Sequence, residues 1–477
     1  MLSRVCLTSY SLLRLINHSK SYYYLMRTMA DVSCVVLVCD LPNAEEFISD
    51  IFKQFINGIR PDTTSRLQSF MAEILSQLID ECQALSNEIL EIILRQFEDK
   101  NSKLNPKAHN LVVEVCNKTS DRLQISVCQY FTEILLQASN GGYSDEEFED
   151  IIVAHRLIRV IHKHCPKLLL STIAQLEAEL NVEDVRLREL ATKVLGRMFG
   201  DLITPSGGFE GTSLARSHPQ AWRTWLNRRL DKHPNIRIAV IEACSLIITN
   251  YPYLSRDVIG WFCFSLNIIY VFLINFLELI HSKLSDIDDK VRASACQFFQ
   301  KITYEIALDY TPKQTLEELA LRCQDRKSNV RHEAFESIGK LYNFAYDDIK
   351  SGINNTLQQF SWMPKAIMSP IRILLDKEYK IIRKQIETCL MKYILPINND
   401  IANNEPIWVD RLLIVLDALS KDEKKALLAL SGLGNFTIRQ LSTNYLDTCE
   451  AYNVSSFISL LKNFFFKYMS VGWKCKW

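Results

Sequence analysis

The sequence predicts an all-α chain, and three observations predict it. Helix breakers are scarce: there are 14 Gly and 13 Pro in 477 residues, each about 3% where about 7% and 5% are usual. Apolar residues recur at helical spacing along most of the text. A pattern of acid, polar turn, branched apolar residue, Arg and Ala returns several times. Sandwiches, barrels and α/β folds spend Gly on turns and phosphate loops, so the scarcity counts against them. With 48% hydrophobic and 23% charged residues, the chain sits near the globular values of about 45–50% and roughly 25%. That excludes a disordered tail, a collagen and a disulfide miniprotein. The length fits about three domains or one elongated array.

From residue 44 the helical text can be followed in order. Phe47, Ile48, Ile51, Phe52, Phe55 and Ile56 fall on one face, and Gly58 and Pro61 stop that helix. Leu67, Phe70, Met71, Ile74, Leu75, Leu78 and Ile79 repeat the pattern. Ser86 stands where an N-cap is needed for Ile89, Leu90, Ile93, Leu94 and Phe97. Asn140-Gly141-Gly142 with the acidic run Asp145–Asp150, and the stretch Thr204–Ser217, read as solvated loops between helices. At Thr311-Pro312-Lys313-Gln314 the sequence predicts a capped start. Thr311 would cap, Pro312 would take the first helical position and Gln314 would close a capping box.

The recurring pattern organises the rest. Asp184 precedes Leu187-Arg188 and Ala191, and Asp231 precedes Pro234, Ile236-Arg237 and Val240. Asp286, Asp288 and Asp289 precede Val291-Arg292 and Ala295, and Asp325 precedes Val330-Arg331 and Ala334. Asp376 with Ile382-Arg383 is a weaker copy. The acid is expected to cap a helix start, the branched residue and Ala to face the core, and the small Ala to admit the next helix. The five arginines are 49, 55, 39 and 52 residues apart, near the roughly 40–47 of two-helix α-solenoid repeats. The predicted fold is therefore a HEAT-type α-solenoid over residues 30–460. Asp184, Arg188, Arg237, Arg292, Asp325 and Arg331 are its structural repeat residues.

Three segments break that text. Residues 1–29 carry Arg4, Arg14, Lys20 and Arg27 without an acid, and read as a targeting leader or a non-native start. Val258–Leu277 is an uncharged run of twenty residues, long enough for a membrane span, but it has no Lys/Arg cluster beside it and carries Asn267 and Asn275. Removing Gly260–Leu277 shortens the interval of 55 to 37, beside the neighbouring 39, and rejoins an amphipathic helix through Leu254, Val258, Ile259, Ile280 and Leu284. Residues 260–277 thus read as a foreign apolar insert, a retained intron or mispredicted exon boundary, with a genuine insertion as the alternative. Residues 461–477 read as an irregular end.

The charge balance is 55 against 55, so no bulk basic excess exists to grip DNA. Fourteen Cys without a CxxC pair fit a reducing compartment. There is no GxGxxG, no GxxxxGK phosphate loop, no GxSxG and no HExxH. No enzyme and no cofactor is expected. His162, His164 and Cys165 are close in sequence, but positions i and i+2 of a helix point apart, so a helix C-terminal turn is read there, where His suits the dipole, and no metal. Arg223, Arg228, Arg229 and Lys232 interleave with Trp222 and Trp225 against one acid, Asp231. They are candidate partner- or anion-binding residues. The alternative is that the tryptophans fill the core and the arginines occupy a helix end.

Specific wording goes further than the repeat. Ala30-Asp31-Val32-Ser33-Cys34-Val35-Val36-Leu37-Val38-Cys39-Asp40-Leu41-Pro42-Asn43-Ala44-Glu45 resembles sister-chromatid cohesion regulators of the precocious-dissociation-of-sisters family. Similar wording follows in order at Val113-Glu114-Val115-Cys116-Asn117-Lys118, Leu176-Glu177-Ala178-Glu179-Leu180, Ala221-Trp222-Arg223-Thr224-Trp225-Leu226, Asp289-Lys290-Val291-Arg292-Ala293 and Gly339-Lys340-Leu341-Tyr342. The resemblance is to a fungal-type and incomplete member, because family members are longer at both ends. It implies a non-catalytic scaffold in the nucleus, on chromatin. Its partner would be the cohesin ring, reached through the kleisin subunit, together with release and protection factors. DNA would be met only through cohesin, and no membrane is expected. A HEAT adaptor of transport or phosphatase type, with a different protein partner, is the alternative.

Overall fold

A computed structural model describes residues 44–59, 61, 63–81, 86–139, 143–201, 214–250, 277–372, 379–396 and 405–430. Among these residues there are helices and turns and no strand. The leader reading of residues 1–29, nearly all of the insert and the end at 461–477 lie outside the described residues. Leu277 is helical and buried. Among the described residues no helix is long and apolar enough to cross a membrane. The chain divides into two compact units, Met1–Asn250 and Tyr251–Trp477.

In the first unit the helices are α1 (Ala44–Gly58), α2 (Ser65–Glu81), α3 (Asn87–Arg95), α4 (Asp99–Leu104), α5 (Pro106–Lys118), α6 (Ser120–Ser139) and α7 (Asp145–His164). Then come α8 (Thr172–Glu179), α9 (Val185–Gly200), α10 (Leu214–Ser217), α11 (Pro219–Asn227) and α12 (Pro234–Asn250). Ile48, Ile51, Phe52, Phe55 and Ile56 of α1 are buried, as are Met71, Ile74, Leu75, Leu78 and Ile79 of α2. Ser86 caps α3 by accepting from Ile89 N at 3.3 Å. Asn105 does the same for α5, accepting from Ala108 N at 3.2 Å with Pro106 in the first turn. Asp184 accepts from Arg186 N and Leu187 N at 2.8 and 3.0 Å and starts α9. α9 lies against α12. The approach is close because Gly196 offers only hydrogen where Ala243 and Trp225 come in.

The second unit holds a helix over 277–284, here α13, then α14 (Asp289–Lys301), α15 (Lys313–Leu321) and the long α16 (Ser328–Lys350). α17 (Asn354–Phe360), α18 (Met363–Met368), α19 (Tyr379–Cys389), α20 (Glu405–Ala418) and α21 (Lys421–Leu430) follow. α14 packs on α16, and Val291, Ala295, Phe298 and Phe299 of the one and Val330, Ala334, Phe335 and Ile338 of the other are buried. Two segments, Ile306–Tyr310 and Leu390–Ile394, wind as π-helix. The first leaves the carbonyls of Ala307 and Thr311 to accept from Gln359 Nε2 at 3.3 and 2.6 Å.

Three local expectations are corrected. The run Asp145–Asp150 is no loop. It forms the first turns of α7, because Ser144 and Glu147 close a capping box and three acids there oppose the positive helix end. Residues 214–217, at the end of the second expected loop, are helical. Thr311 does not cap α15. Its hydroxyl donates to Ile306 O at 3.0 Å, closing the π turn, and Pro312 takes the cap position with no side-chain bond.

Candidate functional site

The stretch Trp222–Arg237 carries the candidate binding residues, and the fold separates them by role. Pro219 seats the first turn of α11, a 3-10 turn Arg228–Leu230 ends it, and Asp231 leads into α12. Trp225 is fully buried, and its Nε1 donates to Thr192 O at 2.9 Å. Trp222 stacks on it at 5.2 Å, and the ring of Phe199 meets Trp222 edge-on at 4.8 Å. Both tryptophans are therefore core, and no aromatic face of this pair is offered outward.

The cations divide as well. Arg228 donates from Nη1 to Leu180 O at 2.9 Å and to Asp231 Oδ2 at 3.4 Å. Half-buried Arg229 donates from Nη1 to Leu226 O at 3.1 Å. Arg223, on α11, and Lys232, in the turn, are exposed. They are the members of the set whose charge faces water.

Each unit carries a copy of one ion-pair motif. Arg188 on α9 donates from Nε to Asp231 Oδ2 at 2.9 Å, and its Nη1 reaches back to Val182 O and Glu183 O at 2.6 and 3.1 Å. Arg292 on α14 does the same: Nε to Asp325 Oδ2 at 2.8 Å, Nη2 to Asp325 Oδ1 at 3.0 Å, and Nη1 to Asp286 O and Ile287 O at 2.8 and 3.1 Å. Arg237 and Arg331 repeat the backbone half, on the carbonyls of Asp231 and Lys232 and of Asp325 and Arg326. Arg383 is held differently, by Glu387 Oε1 at 2.7 Å and Leu430 O at 3.3 Å. Burial pushes the Asp231 and Asp325 carboxyls up, but the arginine forks and the backbone N–H of His233 and Lys327 outweigh it and hold both below the usual range.

Two features escaped the sequence reading. A cation three residues before the acid pairs with it in three copies: Arg228–Asp231, Lys283–Asp286 and Arg322–Asp325. That spacing is visible in the text once the acid is aligned. The other is a fully buried pair, His155 Nε2 and Glu179 Oε2 at 2.7 Å, joining α7 to α8, with His155 Nδ1 donating to Ile151 O at 2.8 Å. No local pattern marks it. His162 and His164 do end α7, but burial drives both down to about 4, so they are neutral near pH 7 and offer the helix dipole no charge. Among the described residues no group of three His, Cys, Asp or Glu is placed to hold a metal ion.

A family model described as sister chromatid cohesion protein PDS5 matches residues 16–463. The sister chromatid cohesion protein pds5 of Schizosaccharomyces pombe is 26% identical over 453 residues, covering 92% of this chain and 35% of that protein. The corresponding protein of Saccharomyces cerevisiae is 22% identical over 435 residues, covering 88% of this chain and 31% of that one. This chain thus spans about a third of the length of these relatives. A solved structure of the Pds5–Scc1 complex matches with a TM-score of 0.63 at 20% identity, over 88% of this chain and 61% of that one. The fold is shared with that structure.

Proposed function

The chain belongs to the PDS5 family of sister chromatid cohesion proteins, and on that premise we propose that it is a non-catalytic scaffold. It binds the cohesin ring through the kleisin subunit and regulates cohesion and its release in mitosis, in the nucleus and on chromatin. The observation that carries this reading is the family match over residues 16–463. The fold shared with a Pds5 chain solved together with Scc1 supports it. Stacked helix pairs that bury their faces only against neighbours leave extended surface for a peptide-like partner. A net charge of zero fits contact with DNA through cohesin. Release and protection factors are the further partners of this scaffold.

Within the reading, Arg223, Arg228, Arg229 and Lys232 are the partner- or anion-binding set, and exposed Arg223 and Lys232 supply its outward charge. The test is affinity purification of the full chain from nuclear extract, with and without residues 260–277, together with direct binding to purified kleisin. Cohesin subunits are expected in the eluate. A chain that is helical by circular dichroism and binds no kleisin would sink the proposal. Replacing Arg223 and Lys232 together by Ala is expected to weaken kleisin binding several-fold, with a stronger effect at low salt and helicity unchanged.

A further inference from the structure

Three of the repeat arginines also pin the tip of a turn. Arg237 Nη1 donates to Lys232 O at 3.0 Å, Arg292 Nη1 to Ile287 O at 3.1 Å, and Arg331 Nη1 to Arg326 O at 3.1 Å. Lys232, Ile287 and Arg326 are all exposed. The frame is the same in each copy, and the residue mounted on it changes. A side chain whose backbone is already fixed loses less freedom on binding than one on a loose loop.

In the second unit two of these tips are neighbours. Arg292 on α14 forks onto Asp325, Asn329 Nδ2 donates to Asp289 Oδ2 at 3.2 Å, and Ser285 Oγ donates to Glu318 Oε1 at 2.6 Å. These links set the turn 285–290 against residues 318–329. Ile287 is 95% exposed, an aliphatic side chain almost wholly in water on a backbone that is held. The aspartates of both turns are engaged with the frame. Asp286 takes Lys283 Nζ, Asp288 caps α14, Asp289 takes Asn329, and Asp325 takes Arg292 and Arg322. The outward cations are not engaged. Lys290, Arg326 and Lys327 are exposed, and among the described residues none has a carboxylate within ion-pair distance.

We propose that Ile287, Lys290, Arg326 and Lys327 form a docking surface for an acidic segment of a partner protein, one with an apolar residue between its acids. The apolar residue covers Ile287, and the carboxylates meet the three cations. Two features select this occupant. The unengaged charge of the surface is positive, so the complementary partner is negative. A nucleic acid or polyphosphate brings dense negative charge that the aspartates of the same turns repel, and no aliphatic group for Ile287. This surface belongs to the second unit, whereas Arg223 and Lys232 belong to the first, and its test uses no kleisin.

The experiment titrates the full chain with fluorescein-labelled peptides: one with a leucine between two pairs of acids, one with the acids replaced by their amides, and one with the leucine replaced by serine. A single-stranded oligothymidine is the fourth probe. The first peptide is expected to bind saturably, at least about fivefold tighter than either of its counterparts. Ile287→Ser should remove the preference for leucine over serine. Arg326→Gln with Lys327→Gln should weaken the first peptide about fivefold at low salt and less at high salt. Both variants keep the backbone carbonyls that Arg292 and Arg331 hold, and circular dichroism should show unchanged helicity. Lys313→Gln with Lys350→Gln removes the same charge from the far ends of α15 and α16 and should leave the affinity as it is. Three results overturn the proposal: no saturable binding, an equal loss in the far-end variant, or an Ile287→Ser chain that still prefers leucine. Oligothymidine bound more tightly than the acidic peptide overturns the assignment to a protein segment.

Discussion

Gly196 leaves no room for a side chain: an added Cβ would lie 2.5 Å from Ala243 Cβ and 3.0 Å from Trp225 Cζ2. Gly339 repeats the situation in the second unit, with Tyr393 Cδ2 at 2.7 Å and Cys389 Sγ at 2.8 Å. Gly196→Ala is expected to cost about 1–3 kcal/mol in urea unfolding, although Ala is the better helix former. A stabilised variant would show that the two helices can separate freely. The buried pair His155–Glu179 is a second single-residue test. Glu179→Ala strips the partner from a ring with no exposed surface and should cost about 3–5 kcal/mol, whereas Glu179→Leu with His155→Phe should recover most of it. His162 gives a pH signature. Its folded pKa lies near 4, below the unfolded value of about 6.5, because burial excludes the charged form. The neutral ring's contribution is full above the unfolded value and is lost as pH falls from about 6.5 to 4, by roughly 3 kcal/mol. His162→Gln should flatten that fall in stability measured across the same range. None of these three roles could be read from the chain. The reason for Gly196 is a residue 47 positions away, Ala243.

Helices were legible where one face is apolar and a cap is local. α1, α2 and α3 match the periodic runs, and Ser86 needed only Ile89, three residues on, to declare itself. Starts that depend on a distant or competing partner were not. Thr311 has the residue type of a cap, but its hydroxyl is spent on the π turn before it. The acids at 145–150 looked like loop text because the capping box that makes them helical was passed over. The acid–arginine pattern was legible as a period, though not as a bridge to the following repeat. Asp325 is the element-scale test. Its carboxylate takes both arms of Arg292 and pairs with Arg322, so Asp325→Asn should cost about 3 kcal/mol. The acid's folded pKa is depressed, so the bridge is fully present above the unfolded value of about 3.9 and is lost as pH falls through the folded one. The wild type should therefore lose stability below about pH 4 more steeply than Asp325→Asn, by circular dichroism melts.

The two compact units carry separate fluorophores: Trp222 and Trp225 in the first, and Trp261, Trp362, Trp408, Trp473 and Trp477 in the second. In an array stabilised by neighbours, unfolding need not be all-or-none. Gly196→Ala is expected to shift the transition seen by the first pair while the far-ultraviolet signal keeps a part that does not move. Coincident shifts at every wavelength would contradict this. At this scale the text was most informative. Scarce breakers and the repeat were enough for the fold class, and ordered wording over hundreds of residues was enough for the family. The candidate binding set was less legible, because sequence lists charges without saying which are used up. Arg228 is spent on Leu180 and Asp231, and Trp222 and Trp225 face inward.

The arginine motif also has a direction. Arg188 waits for an acid 43 residues downstream and Arg292 for one 33 downstream. As the chain leaves the ribosome, each fork can hold its own upstream carbonyls at once, but its charge stays unanswered until the next repeat has been made. Assembly of these repeats therefore proceeds from the amino end, each finished unit presenting a ready cation to the one being synthesised. A chain cut between Arg292 and Asp325 would leave the Arg292 fork on its own upstream carbonyls with its charge unanswered.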